Sequence, residues 1–283
     1  MKPALLHPAR ALPSTGHIGR AATLALYDEL SLTPKPGLVT LVDRGSHDDM
    51  DASTFLRSLF ALRHYFTAVA RAGAAGAPFT VLRDHGIAAE TAMRAATGGI
   101  NTHRGAIFSL GLLVAAAAGC RRVHGHAVSG AQVCLAVQQW KDALIAAPLD
   151  PHSPGQRARA RHGVSGVREQ AAAGYPVLRE LALPTLRHAL HSGLPRDAAL
   201  CHTLMQLMAQ VDDLNLLHRG GAEGLRWAQQ QASAFLSSGG AFAPDWRMRL
   251  QSMGEAFVMR RLSPGGSADL LACAWFLLQQ EGA

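Results

Sequence analysis

A helical spacing that recurs along the chain and breaks at the same kind of polar stretch most constrains the fold. In "ASTFLRSLFALRHYFTAVARAG", Phe55, Leu59, Leu62 and Phe66 fall three or four residues apart, which places them on one face of a helix. Asp51 stands just before this run, where its side chain can cap the free N–H groups of the first turn. Comparable patterns fill "HIGRAATLALYDEL" and "VLRDHGIAAETAMRAAT", the second with Gly86 as a weak point. Others are "AVSGAQVCLAVQQWKDALIAA", "REQAAAGYPVLRELALPTLRHAL", "RDAALCHTLMQLMAQ", "AEGLRWAQQQASAFLSS", "APDWRMRLQSMGEAFVMRR" and "SADLLACAWFLLQQ". Alanine and leucine dominate and β-branched residues are sparse, a mix that favours helix over sheet. The expectation is an all-α, single-domain, multi-helix bundle over 17–283, with residues 1–16 as a flexible lead.

The uncharged, strongly apolar run Gly105 to Cys120 is too short to span a bilayer comfortably and reads as a buried core helix capped by Asn101 or Thr102. The first residues contain prolines and basic residues but no continuous apolar core, so no signal peptide is expected. Cys120, Cys134, Cys201 and Cys273 form no CxxC pair or zinc spacing and read as free thiols of a reducing compartment. A cytoplasmic protein is expected.

The net charge of +7 suggests an anionic partner, unless it is only a solvated basic surface. A basic helical nucleic-acid binder would carry its charge as a stripe on one helix face. Here the basic residues instead sit beside glycines and acids between helices. "PLDPHSPGQRARARHGVSG" reads as a mobile arginine-bearing loop, a possible lid over an anionic ligand.

Four polar stretches separate the helices. They are "LTPKPGLVTLVDRGSHDDMD" (Leu32 to Asp51), "TGGINTHRGA" (Thr97 to Ala106), "DDLNLLHRGGAEG" (Asp212 to Gly224) and "RLSPGGSADLL" (Arg261 to Leu271). Three have a double glycine at or near a helix start, where unpaired N–H groups and the dipole favour an anion. None matches the phosphate loop of nucleotide triphosphatases or the dinucleotide fingerprint. A plain turn between helices explains any one of them; the combination points further. Lys35, Arg44, Arg104 and Arg219 offer positive charge for phosphates, and Asp49, Asp213 and Asp269 offer hard oxygen ligands suited to Mg²⁺. Asp51 alone reads as an ordinary cap, and Asp269 could merely stabilise its helix. On an unbroken helix, Asp213 would point about 100° away from the face shared by Asp212, Asn215 and Arg219, so it joins Asn215 only if the helix ends or distorts there.

Taken in order, "LTPKPGLV…GSHDDMD", "GGINTHRGAIFSLGLL", "DDLNLLHRGG" and "SPGGSADLL" resemble the signature segments of triphosphoribosyl-dephospho-CoA synthases, from about His17 to the end of the chain. "NTHRGAIFSLGLLVAAA" is more similar to the malonate decarboxylase branch than to the citrate lyase branch. Two departures are Leu214, where the family usually has a small polar residue, and "GVREQAAAGYP", which follows its pattern only loosely. The resemblance implies a transferase that joins ATP and 3′-dephospho-CoA, releases adenine and makes the prosthetic-group precursor of malonate decarboxylase. It implies His47, Asp49 and Asp213 as catalytic residues. It implies Lys35, Arg44, Asn101, His103, Arg104, Asn215, Arg219, Gly220, Gly265, Gly266 and Ser267 as substrate contacts. Asp49, Asp213 and Asp269 are implied as ligands of an Mg²⁺ that comes with ATP. The product would pass to a partner transferase that loads an acyl carrier protein. No nucleic acid or membrane is expected as partner, and a homodimer is left open. The alternative enzyme is an all-α, Mg²⁺-dependent nucleotide or ADP-ribose hydrolase, with water as nucleophile.

Overall fold

A computed structural model describes residues 14–147, 163, 164 and 166–282. They are all-α, with no strand among them. The helices are α1 (Thr15–Ser31), α2 (Ala52–Ala74), α3 (Phe79–Thr97), α4 (Arg104–His124), α5 (Gly130–Ala136) and α6 (Lys141–Ala146). They continue with α7 (Val167–Ala172), α8 (Leu183–His191), α9 (Arg196–Gln210), α10 (Leu214–Ser237), α11 (Trp246–Met259) and α12 (Gly265–Glu281). Most of the proposed lid loop, 148–162 and 165, lies outside the described residues.

Asp51 caps α2 by accepting from Thr54 N at 3.0 Å. Phe66 and Leu62 on that helix are fully buried, as their spacing implied. The helix packs on α1, α3 and α4. Two glycines set how closely these helices cross. A Cβ at Gly19 would lie 2.7 Å from Thr67 N, and one at Gly73 would lie 2.1 Å from Ala115 O, so backbone meets backbone at both points. α4 is buried along most of its length and packs against α2 and α12. The buried apolar residues form one continuous cluster running from Ile18 on α1 to Leu277 on α12.

Several boundaries differ from the periodicity. α3 runs unbroken through Gly86. α4 extends to His124, beyond the uncharged run that ends at Cys120, and its N-cap position is His103. Asn101 still contributes, because its Oδ1 accepts from Arg104 N at 3.2 Å. The Ala127–Ala147 pattern divides into α5, a 3₁₀ turn (Val137–Trp140) and α6. "DDLNLLHRGG" is mostly helix: α10 begins at Leu214 and passes Gly221, where φ 60° and ψ −163° make a kink. That conformation suits glycine, which has no Cβ to clash at positive φ. All four cysteines are free, and three are buried.

Candidate active site

Three helix starts meet. α4 and α12 have no side-chain cap at their own N-cap residues, His103 and Pro264. Their open N–H groups are met instead by carboxylates from neighbouring helices. Asp213 is the N-cap of α10, and its Oδ1 accepts from Asn215 N at 2.9 Å and Leu216 N at 3.3 Å. Its Oδ2 reaches across to α12 and accepts from Ser267 N at 2.7 Å and Ser267 Oγ at 2.9 Å. Asp269, on α12, accepts in turn from the backbone N–H of Ala106 on α4. The question of how Asp213 and Asn215 come together is thereby answered. Asp213 lies just outside the helix, at ψ 112°, so its side chain can turn back over the first turn.

Glycines make this close packing possible. A Cβ at Gly105 would stand 2.0 Å from Asp269 Oδ2, one at Gly265 2.8 Å from Asn215 Nδ2, and one at Gly266 3.1 Å from Asp213 Oδ1. Gly220 is close to Leu262 in the same way. Gly105, Gly265 and Gly266 therefore serve the approach of helix ends to one another.

The layer beneath is buried and charged. Asp213 is 1% exposed, and burial raises its pKa against the lowering effect of its hydrogen bonds. Burial, then Glu29 and Asp213, push the Asp269 carboxyl well above the usual range, so it favours the neutral acid. Glu29, near the end of α1, was not among the residues singled out from the sequence. Its Oε1 accepts from Lys35 Nζ at 2.5 Å, and its backbone carbonyl accepts from the same nitrogen at 2.6 Å. Lys35, framed by Pro34 and Pro36, is thus a buried cation with a carboxylate partner, and one of its three N–H donors is left over. His103 is close enough to Lys35 for that charge, after burial, to hold its pKa down at about 3.

A second group forms the rim. Arg219 donates through Nη2 to His47 Nδ1 at 2.9 Å, and through Nη1 to Ser46 O at 2.9 Å and Arg261 O at 3.1 Å. Because Nδ1 accepts from a guanidinium, the His47 proton sits on Nε2, which donates to Ser263 Oγ at 3.0 Å. Burial, then Arg219, lowers the pKa of His47 to about 4, against the opposing pull of Asp49 and Asp48. Asp49 Oδ1 lies 3.7 Å from His47 Nδ1 on a side chain that is 61% exposed. These contacts tie Leu32–Asp51 to the other stretches, and the Asp269–Ala106 bond brings in Thr97–Ala106.

Other expected residues stand apart. Arg104 Nε pairs with Glu90 Oε1 at 3.2 Å. Arg44 and Asn101 are exposed, whereas Asn215, also exposed, keeps its backbone N–H on Asp213 and its side chain against Gly265. Asp49, Asp213 and Asp269 do not form one group among the described residues. Asp213 and Asp269 are electrostatic neighbours, but Asp49 stands on the rim beside His47. Asp213 has both oxygens engaged by four donors. Among the described residues, no group of three or more His, Cys, Asp or Glu is arranged to hold a metal ion.

The family model described as ATP:dephospho-CoA triphosphoribosyl transferase matches residues 15–283. The chain belongs to that family. Among the triphosphoribosyl transferase family's curated members, the 2-(5''-triphosphoribosyl)-3'-dephosphocoenzyme-A synthase of Pectobacterium atrosepticum is 41% identical over 263 residues, 89% of this chain and 85% of its own. A protein of Salmonella choleraesuis named "Probable 2-(5''-triphosphoribosyl)-3'-dephosphocoenzyme-A synthase 1" is 38% identical, over 95% of this chain and 93% of its own. One of Vibrio cholerae with the same name, without the final numeral, is 36% identical over 96% and 93%. No solved structure matches. As a member of the triphosphoribosyl transferase family, the chain is an enzyme of the transferase class. Both the deep carboxylate layer and the His47–Arg219 rim lie within the matched residues.

Proposed function

We propose that this enzyme transfers the triphosphoribosyl part of ATP to 3′-dephospho-CoA. The C1″–N9 bond of ATP breaks, a bond forms from C1″ to the ribose 2′-oxygen of dephospho-CoA, and adenine leaves with the proton that the hydroxyl gave up. The triphosphate stays whole, in keeping with the absence of a phosphoryl-transfer loop from the sequence. The observation that carries this reading is the match of residues 15–283 to the ATP:dephospho-CoA triphosphoribosyl transferase family, with Lys35, His47 and Arg219 among those residues offering polar groups to a nucleotide.

The groups divide the work by environment. His47 is neutral, so its Nδ1 can take the 2′-hydroxyl proton once a substrate phosphate draws Arg219 away from it. Asp269, held as the neutral acid, suits proton donation to the departing adenine. Lys35 has one N–H left for a phosphate oxygen. An Mg²⁺ bound to ATP would keep several waters and take one or two carboxylates beside the phosphates. Asp49 would be the carboxylate to hold it, since its side chain is exposed and Asp213 has both oxygens engaged. Such an ion would neutralise phosphate charge. The product then serves a carrier-protein-loading transferase in the malonate decarboxylase pathway, in the cytoplasm; the wording of "NTHRGAIFSLGLLVAAA" supports that branch.

Acceptor choice tests the reading. Dephospho-CoA is expected to yield the triphosphoribosyl adduct by mass spectrometry. CoA should be a poor acceptor, because its 3′-phosphate crowds and repels at the neighbouring hydroxyl. Equal turnover of both acceptors would count against it.

A further inference from the structure

Ser58 lies on the buried face of α2, fully covered, with its Oγ 2.6 Å from His103 Nδ1. Among the described residues, each of these two atoms is the other's hydrogen-bond partner and has no further one. Only one arrangement of hydrogens uses both. If Nδ1 carried the proton and donated to Oγ, the hydroxyl hydrogen would be buried without an acceptor, a costly state. If the hydroxyl donates to Nδ1, both atoms are satisfied and the ring proton moves to Nε2. His103 is 3% exposed, and its Nε2 is buried with no partner among the described residues. The neighbouring Thr102 Oγ1 is in the same condition. Two unmet polar atoms therefore lie one residue apart, just before the α4 start that Asp269 caps.

We infer that Ser58 is a positioning residue that fixes His103 as the Nε2–H tautomer, so that this ring presents an N–H donor to an acceptor atom of the bound nucleotide. The inference rests on the nucleotide reading of the site. The nearby Lys35 charge and the start of α4 both oppose a second positive charge on the ring, so the donor is a neutral imidazole. Edge contact with Phe55, at 4.9 Å between ring centroids, holds the plane of the ring. A neutral donor of fixed direction can bond a phosphate oxygen or a purine ring nitrogen without itself giving up a proton.

Long-range ¹H–¹⁵N spectra of the wild-type protein at pH 7 test the tautomer directly. The His103 signals, assigned by their loss in His103→Gln, are expected to show protonation on Nε2 alone. Ser58→Ala should turn them into a mixture of tautomers and lower kcat/KM for ATP about tenfold, the worth of one hydrogen bond. Ser58→Cys, which keeps a weak donor, should recover part of both. Adenine and inorganic triphosphate are then titrated separately. A shift of the Nε2–H signal with adenine assigns the contact to a ring nitrogen, and a shift with triphosphate assigns it to a phosphate oxygen. Protonation at Nδ1 in the wild type would overturn the inference whether or not the variants fold. So would indifference to both probes, or an unchanged tautomer in Ser58→Ala. If triphosphate or adenine shifts the signal but no adduct forms with dephospho-CoA, the donor stands and the proposed reaction falls.

Discussion

Asp269 is partly buried, has the Glu29 and Asp213 carboxylates as electrostatic neighbours, and accepts one backbone N–H, from Ala106, to compensate. Its raised pKa means that the folded chain binds a proton there that the unfolded chain has released. Stability from this group is present in full below the ordinary aspartate value near 3.8 and is lost as pH rises toward the folded value. Asp269→Asn removes that loss. In metal-free buffer its Tm is expected to exceed the wild type's at pH 8, with the gap closing near pH 4. A gap of constant size, or a lower Tm at pH 8, would contradict this. The Lys35–Glu29 pair behaves differently, because each member is buried with the other. Lys35→Met should destabilise by about 3–5 kcal/mol in urea unfolding, since it strands a buried carboxylate. Adding Glu29→Leu should recover most of it. If the double variant is no better than the single, the pair is not what holds this corner. Glu29 was legible in principle. It falls on the buried stripe of α1 with Ala22, Ala25, Leu26 and Leu30, where a charge requires a partner. The partner is not legible, because nothing in the spacing says that Lys35 folds back onto the end of α1.

Helix ends, more than helix faces, define this site. The faces could be read from spacing, and so could the cap at Asp51, because both depend on neighbours in sequence. The sharing of caps could not, because Asp213 serves Ser267 on another helix and Asp269 serves Ala106 on a third. The start of α10 was obscured for the same reason: Asp212 and Asp213 look alike until one is seen to be buried and the other exposed. A pair of glycine replacements tests this at the level of elements. Gly86→Ala, on α3, would place its Cβ 3.9 Å from Tyr65 Oη, an ordinary contact, and should stabilise by up to about 1 kcal/mol through helix propensity. Gly105→Ala makes the same change inside α4 but drives a Cβ to 2.0 Å from Asp269 Oδ2. It should lower Tm despite the better propensity. Equal gains at both sites would mean that α4 and α12 do not meet as described. Asp213→Asn should cost about 1–3 kcal/mol, since an amide cannot accept from all four donors, while the exposed Asp212→Asn should stay within about 0.5 kcal/mol.

Among the described residues, the helices share one continuous apolar core beneath the polar site. α4 is long and apolar enough to cross a membrane by length and composition, yet most of it is enclosed by other helices here. Its burial fixes the position of His103 and Gly105 at one end. The basic surplus, read from the sequence as a sign of an anionic partner, gains a local meaning at the rim, where Arg219 bridges His47 and two backbone carbonyls. The order of the four polar stretches was legible, as was the family. Their division into a deep carboxylate layer and an exposed rim was not, because burial depends on how distant helices pack. The central claim is transfer of a triphosphoribosyl group to dephospho-CoA, with adenine as leaving group. The most direct measurement is adenine release by chromatography, with ATP and Mg²⁺ present and dephospho-CoA added or withheld. Release should require dephospho-CoA and match the adduct mole for mole. Adenine and free triphosphoribose appearing at the same rate without dephospho-CoA would make the enzyme a hydrolase and contradict the account.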